Sequence, residues 1–161
     1  MRLLSPLGSR LGLLVVFLLA AVSLSGCGGQ AHRPASALSD HDRTVLVAYE
    51  EIRAGLASDD PRTARVGAMA LVAELKKNGG DHSSNPLLAR SQAFLDARAL
   101  DSQRQAFAPL SDSLIPLAAG VEGYYIMSSP PGLGGDWIQR TPDIDNPYLG
   151  KVMHSSGSLK K

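Results

Sequence analysis

Four side chains carry most of the chemistry this sequence offers: the single thiol, Cys27, and three soft or borderline donors near the end, Met127, Met153 and His154. Adjacent donors such as Met153 and His154 diverge by about 100° on a helix. They converge only from an extended or irregular segment. His41 lies between Asp40 and Asp42, and Asp81 precedes His82. Either group has the composition of a metal or acid–base cluster, but each also fits a solvated helix start or connection, which is the better reading. Asp143 and Asp145 stand in a proline-flanked polar loop, where exposed carboxylates are ordinary. There is no G-x-S-x-G elbow, no H-E-x-x-H helix, no C-x-x-C pair and no phosphate loop ending in Lys-Ser/Thr. Gly132-Leu133-Gly134-Gly135 lacks the helix pattern that would make it a phosphate cradle. The chain therefore reads as one that binds something rather than transforms it, and no catalytic residue is assigned.

Cys27 is best understood from what precedes it. Arg2 and Arg10 give a positive start, and Leu11 to Val22 is an uninterrupted apolar run. That run falls short of the roughly 20 residues a bilayer span requires, but suits the apolar core of an export signal. The following Leu24-Ser25-Gly26-Cys27 resembles a bacterial lipobox, at which the signal is cut before the cysteine and the sulfur receives a diacylglycerol. The resemblance implies that residues 1–26 are a signal peptide. It also implies a mature chain that begins at lipidated Cys27, faces the periplasm and is tethered to a membrane without spanning it. Gly28, in place of an aspartate, points to the outer membrane by similarity to known sorting preferences.

Without residues 1–26 the chain holds 14 Lys plus Arg against 15 Asp plus Glu, so it is close to neutral. No clustered basic face speaks for nucleic acid. Lys160 and Lys161 read as a solvated end. With its only cysteine acylated, the chain has no disulfide and no thiol redox centre.

The remaining chain must position these groups. Residues 27–38, small, polar and containing Pro34, read as a flexible tether with His32 exposed. From residue 39 the spacing is helical. Ser39 or Asp40 caps a first helix to Ala57, with Val45, Tyr49, Ile52 and Leu56 on one face and the Tyr49 hydroxyl at its edge. Asp60-Pro61 opens a second helix with Val66, Met69, Ala70 and Ala73 inward, and Asn78-Gly79-Gly80 stops it. Asn85-Pro86 opens a third, with Leu88, Ser91, Leu95 and Ala99 on one face and Phe94 beside them. Asp101 caps a fourth, in which Phe107, Leu110, Leu114 and Leu117 align while Pro109 and Pro116 predict kinks or breaks. The expected fold is mainly α: an up-and-down four-helix bundle over residues 39–157, with an irregular C-terminal tail. Tyr124–Met127 and Asp136–Ile138 suggest two short strands in that tail. Residues 158–161 read as a free end.

In combination these segments resemble a bacterial periplasmic helical domain of unknown function, found alone or attached to adaptor subunits of copper and heavy-metal efflux systems. Its C-terminal motif runs approximately C-P-M, a glycine-containing loop, W, then N-P-Y-x-G-x-x-M-x-x-C-G. Trp137 fits the tryptophan, Asn146-Pro147-Tyr148-Leu149-Gly150-Lys151-Val152-Met153 fits the second block without a gap, and Gly157 fits the last glycine. Ala48–Asp60 and Ala106–Leu117 resemble the family's first and last helices, so the likeness spans roughly residues 43 to 157. Both cysteines of the motif are missing: Ser156 replaces one, and Tyr125-Ile126-Met127-Ser128 replaces the C-P-M segment. The resemblance implies a lipid-anchored accessory of copper or heavy-metal handling with a degraded site, in which Met127, Met153 and His154 hold Cu(I) weakly. The alternative is an envelope structural or protein-interaction module that has lost metal binding. On either reading Trp137, Asn146, Pro147, Tyr148 and Gly150 anchor the tail, and an efflux or envelope protein is the expected partner.

Overall fold

Three helices start where a short polar side chain can take up free backbone N–H groups. In the computed structural model, which describes residues 33–77 and 85–160, the Ser39 hydroxyl accepts from Asp42 N–H at 3.0 Å and opens α1 (Asp40–Ala57). Asp60 accepts from the N–H groups of Arg62 and Thr63 at 3.0 and 3.2 Å and opens α2 (Pro61–Lys76). Asn85 does the same for Leu87 and Leu88 at the head of α3 (Pro86–Asp96). A proline at the first position of α2 and of α3 removes no donor that the helix needs. Such caps stabilise a helix by about 1 kcal/mol each. Cys27, expected to be lipidated, residues 1–26, expected to be a signal peptide, His32, Asn78-Gly79-Gly80 and Asp81-His82 lie outside the described residues.

The fourth helix departs from expectation at its start and in its interior. α4 (Leu100–Ala118) has Ala99 at its cap position with no side-chain bond, and Asp101 sits in its first turn instead. It runs without a break through Pro109 and Pro116. Both prolines are exposed, and the carbonyls deprived of a donor belong to Gln105 and Asp112, exposed residues that water can reach.

Each helix packs on the next, and α4 returns to α1. On α1 the expected face is the buried one: Val45, Tyr49, Ile52 and Leu56 are at most 2% exposed. On α2 the face is different. Val66 and Met69 are 54% and 57% exposed, Ala70 and Ala73 are also exposed, and the inward residues are Ala64, Gly67, Ala68, Leu71 and Leu75. The cause is close approach of α1. A Cβ on Gly55 would lie 2.4 Å from Ala64 N, and one on Gly67 would lie 2.7 Å from Ile52 N. Two backbones this close leave room only for the smallest side chains. On α3, Leu88, Ser91 and Phe94 are buried while Leu95 is half-buried, and Ala99 lies exposed beyond the helix. On α4, Phe107, Leu110 and Leu114 are buried and Leu117 is half-buried.

After α4 come β1 (Tyr125–Ser128), β2 (Asp136–Gln139) and β3 (Ser158–Leu159), an antiparallel sheet of order β2-β1-β3. Met127 faces Trp137 on one side and Leu159 on the other. Among the described residues the fold is thus mainly helical, with four α-helices and a small sheet that has one strand more than expected. The third strand comes from the segment read as a free end, and Lys160 N–H donates to Ile126 O at 2.8 Å. The other end is fixed as well. Arg33 N–H donates to Gly120 O at 2.6 Å, Glu122 N–H donates to Arg33 O at 2.8 Å, and Leu38 is 4% exposed. Residues 33–38, read from composition as part of a flexible tether, therefore belong to the packed body. Among the described residues, no helix is long and apolar enough to cross a membrane.

Candidate functional site

The C-terminal tail is held by an interlock centred on Asn146-Pro147-Tyr148. Asn146 is fully buried. Its amide donates to Ser156 O at 2.8 Å and Ser129 Oγ at 3.1 Å, and its carbonyl oxygen accepts from Tyr148 N–H at 2.8 Å. Its backbone N–H donates to His154 O at 2.6 Å. One side chain thus ties the loop after β1, the turn before β3 and its own turn together. Buried Pro147 offers its carbonyl to Arg104 Nε at 3.0 Å. Gly150 has φ +59°, and a Cβ there would lie 2.0 Å from Asp59 Oδ1 and 2.2 Å from Arg104 Nη2. Only glycine meets both conditions.

Tyr148 joins the tail to the bundle. Its hydroxyl donates to Asp136 O at 3.0 Å. Its ring lies edge-on to Trp137 at 6.2 Å and tilted against Phe107 of α4 at 5.5 Å. Beneath it, Ile138 N–H donates to Tyr49 OH at 3.1 Å, Tyr49 OH lies 2.7 Å from Ser111 Oγ, and Ser111 Oγ donates to Asp136 O at 2.9 Å. The Tyr49 hydroxyl is therefore inside, not at the edge of its helix face as expected. Burial pushes the ionisation of Tyr49 and of Tyr148 far above the ordinary phenol range, so both hydroxyls keep their protons. Trp137, fully buried, donates through Nε1 to Gln139 Oε1 at 2.9 Å, and the Gln139 amide donates to the carbonyls of Thr141 and Asp143.

Two arginines complete the interlock, and both escaped the sequence reading. Arg53, 6% exposed, donates to Glu50 Oε1 and reaches both Asp145 O and Asp145 Oδ2 at 2.9 Å. Asp145 is thus a partner of α1, not a free loop carboxylate. Burial raises the Glu50 carboxyl even though Arg53 opposes it. Arg104 donates to Leu56 O at 3.0 Å, to Asp59 Oδ1 at 2.5 Å and to Pro147 O. Its guanidinium holds the Asp59 carboxyl below the usual range. A signal was present: Arg53 is four residues after Tyr49 and Arg104 three before Phe107, so each lies beside an apolar stripe where a charge demands a partner.

The soft donors are distributed differently. Met127 is 0% exposed within the sheet, whereas Met153 is 43% exposed and His154 lies on the surface, its Nδ1 3.3 Å from Lys151 O. Met153 and His154 share an exposed turn, but the three donors have no common accessible surface. His154 also borders a shallow surface cavity of about 320 Å³ with Asp145 and Lys151. Among the described residues, no three His, Cys, Asp or Glu side chains gather as a metal-binding group. His41, read as part of a solvated helix start, has Nδ1 3.0 Å from Oε1 of the buried Glu74, which Lys77 also approaches. Lys160 pairs with Asp136 instead of standing free. Among known proteins, the chain matches no family model, no curated protein and no solved structure.

Proposed function

We propose that this chain is a lipid-anchored protein-interaction module of the bacterial cell envelope, an up-and-down four-helix bundle whose tail is part of its rigid body. One observation carries the reading. The polar groups of the Asn146-Pro147-Tyr148-x-Gly150 segment are spent on holding the tail to α4, to the sheet and to its own turns. A motif engaged in this way serves shape, and a fixed shape on a tether is what a docking module needs. The anchor rests on the apolar run and the Leu24-Ser25-Gly26-Cys27 string, and the outer membrane on Gly28. Detergent phase partition of the wild-type chain and Cys27→Ala tests it: the wild type should enter the detergent phase and the variant should not. Identical partition would overturn the anchored reading.

A second reading, an accessory of copper handling, draws on the resemblance and on the exposure of Met153 and His154 in one turn. Soft thioether and imidazole donors favour Cu(I) over Zn(II). Native mass spectrometry of the mature chain with one equivalent of Cu(I) separates the two. The module reading expects no retained metal. Retention abolished by Met153→Leu together with His154→Gln would favour the second.

A further inference from the structure

We propose that the bundle end formed by the Gly120–Ile126 segment and the last strand lies against lipid headgroups, as the membrane-facing side of the molecule. This rests on the anchored reading above and adds which surface meets the bilayer. The argument begins with chain length. Arg33 is clamped by backbone bonds to Gly120 and Glu122, and it is the sixth residue after Cys27. A residue spans at most about 3.6 Å, so even a straight tether leaves Arg33 within roughly 20 Å of the acylated sulfur. The other surfaces of the bundle can tilt towards the membrane or away from it. This one is held close.

The chemistry of that end suits the place. An open concavity of about 330 Å³ is lined by Val121, Tyr124, Tyr125, Ile126, Leu159 and Lys160, among others. Leu159 is 51% exposed and both tyrosines are half-buried, so apolar surface faces outward beside hydroxyl tips. Arg140 stacks 4.7 Å over the Tyr124 ring, and Arg33 is exposed with one guanidinium nitrogen on Leu117 O. Tyrosine rings and snorkelling cations are the side chains that settle at the headgroup level. Arg33 and Arg140 present charge to lipid phosphates while Leu159 and the tyrosine edges meet the upper acyl region. Glu122 is the one exposed carboxylate in this lining, and it limits the attraction without reversing it.

The test uses the intact acylated chain on vesicles of phosphatidylethanolamine and phosphatidylglycerol containing a nickel-chelating lipid. Acylation occupies Cys27, so single nitroxide labels go on Glu122→Cys and Leu159→Cys at the proposed face. Val66→Cys and Leu133→Cys, exposed residues on α2 and on the loop between β1 and β2, serve as references. The relaxation produced by headgroup nickel should be several-fold larger at 122 and 159 than at 66 and 133. It should fall at 122 and 159 in chains that also carry Arg33→Glu and Arg140→Glu. Equal relaxation at all four positions, with the chain still sedimenting with vesicles, would overturn the face and leave the anchor standing. Failure to sediment, with an unacylated Cys27 in the N-terminal peptide, would overturn both.

Discussion

Replacing Asn146 with alanine removes three hydrogen bonds at once from a fully buried position: those to Ser156 O, Ser129 Oγ and Tyr148 N–H. At about 1 kcal/mol net for each, the loss is about 3 kcal/mol. Groups left buried without a partner, the Tyr148 N–H among them, push it higher. Asn146→Asp sharpens the reasoning, because it keeps the oxygen that accepts from Tyr148 N–H. The second oxygen, however, confronts Ser156 O where an N–H donated before. When ionised it puts a charge in a fully buried site, so the folded state raises this carboxyl above its unfolded value. A raised carboxyl means stability present at low pH and lost as pH rises through the folded value. The aspartate variant should therefore recover part of its deficit at pH 4 relative to pH 7, while the alanine variant should show no such recovery relative to wild type. Urea unfolding followed both by the fluorescence of Trp137, the only tryptophan, and by circular dichroism of the helices reads both effects. With m of about 1–3 kcal/mol/M the alanine midpoint should fall by about 1–3 M. The two probes should move together. A change below about 0.5 kcal/mol, the range of ordinary surface substitutions, would refute the interlock.

Leu110→Ala, in a residue with no exposed surface, should lower stability by about 2–5 kcal/mol, whereas Val66→Ala, at 54% exposure, should change it little. Comparable losses in urea titrations would restore the inward face first expected for α2. Acid should weaken the fold below about pH 4, near the ordinary Asp value. The carboxyls of Asp59 and Asp136 are lowered, the first by Arg104, the second because Lys160 and Ser128 outweigh its burial, and their stabilisation is lost as pH falls through those lowered values. Glu50, raised by burial, runs the other way and offsets part of this. Arg104→Gln should flatten the acid limb of stability against pH, and an unchanged limb would contradict the assignment to Asp59.

Helix starts were legible because capping is local: Asp60-Pro61 and Asn85-Pro86 act on the next few residues whatever the rest of the chain does. The inward face of α2 was not. Spacing alone favoured the larger Val66 and Met69, while the real choice is made by α1, whose approach leaves no room for a Cβ at Gly55 or Gly67 and turns the Ala64, Gly67 and Ala68 face inward. β3 is two residues long and has no period to read; it exists because β1 offers a free edge. The kinks or breaks expected at Pro109 and Pro116 followed from the donor each proline removes; α4 runs on through both, and both prolines face water. Within the tail, Trp137, Asn146, Pro147, Tyr148 and Gly150 were singled out from their motif, and Asn146 and Tyr148 are where its hydrogen bonds converge. Arg53 and Arg104 lie 92 and 43 residues from Asp145 and Pro147, which they bind; a charge beside an apolar stripe signals that a partner is needed, but no local pattern says which.

Amide hydrogen exchange of the intact chain tests most directly the claim that the tail belongs to the rigid body. The amides of Ile138, Asn146 and Tyr148 donate to Tyr49 OH, His154 O and Asn146 Oδ1. They should be protected as strongly as buried amides of α1 and α4, such as those of Ile52 and Leu110. Exchange of these tail amides at the rate of an open loop, while the helices stay protected, would contradict it.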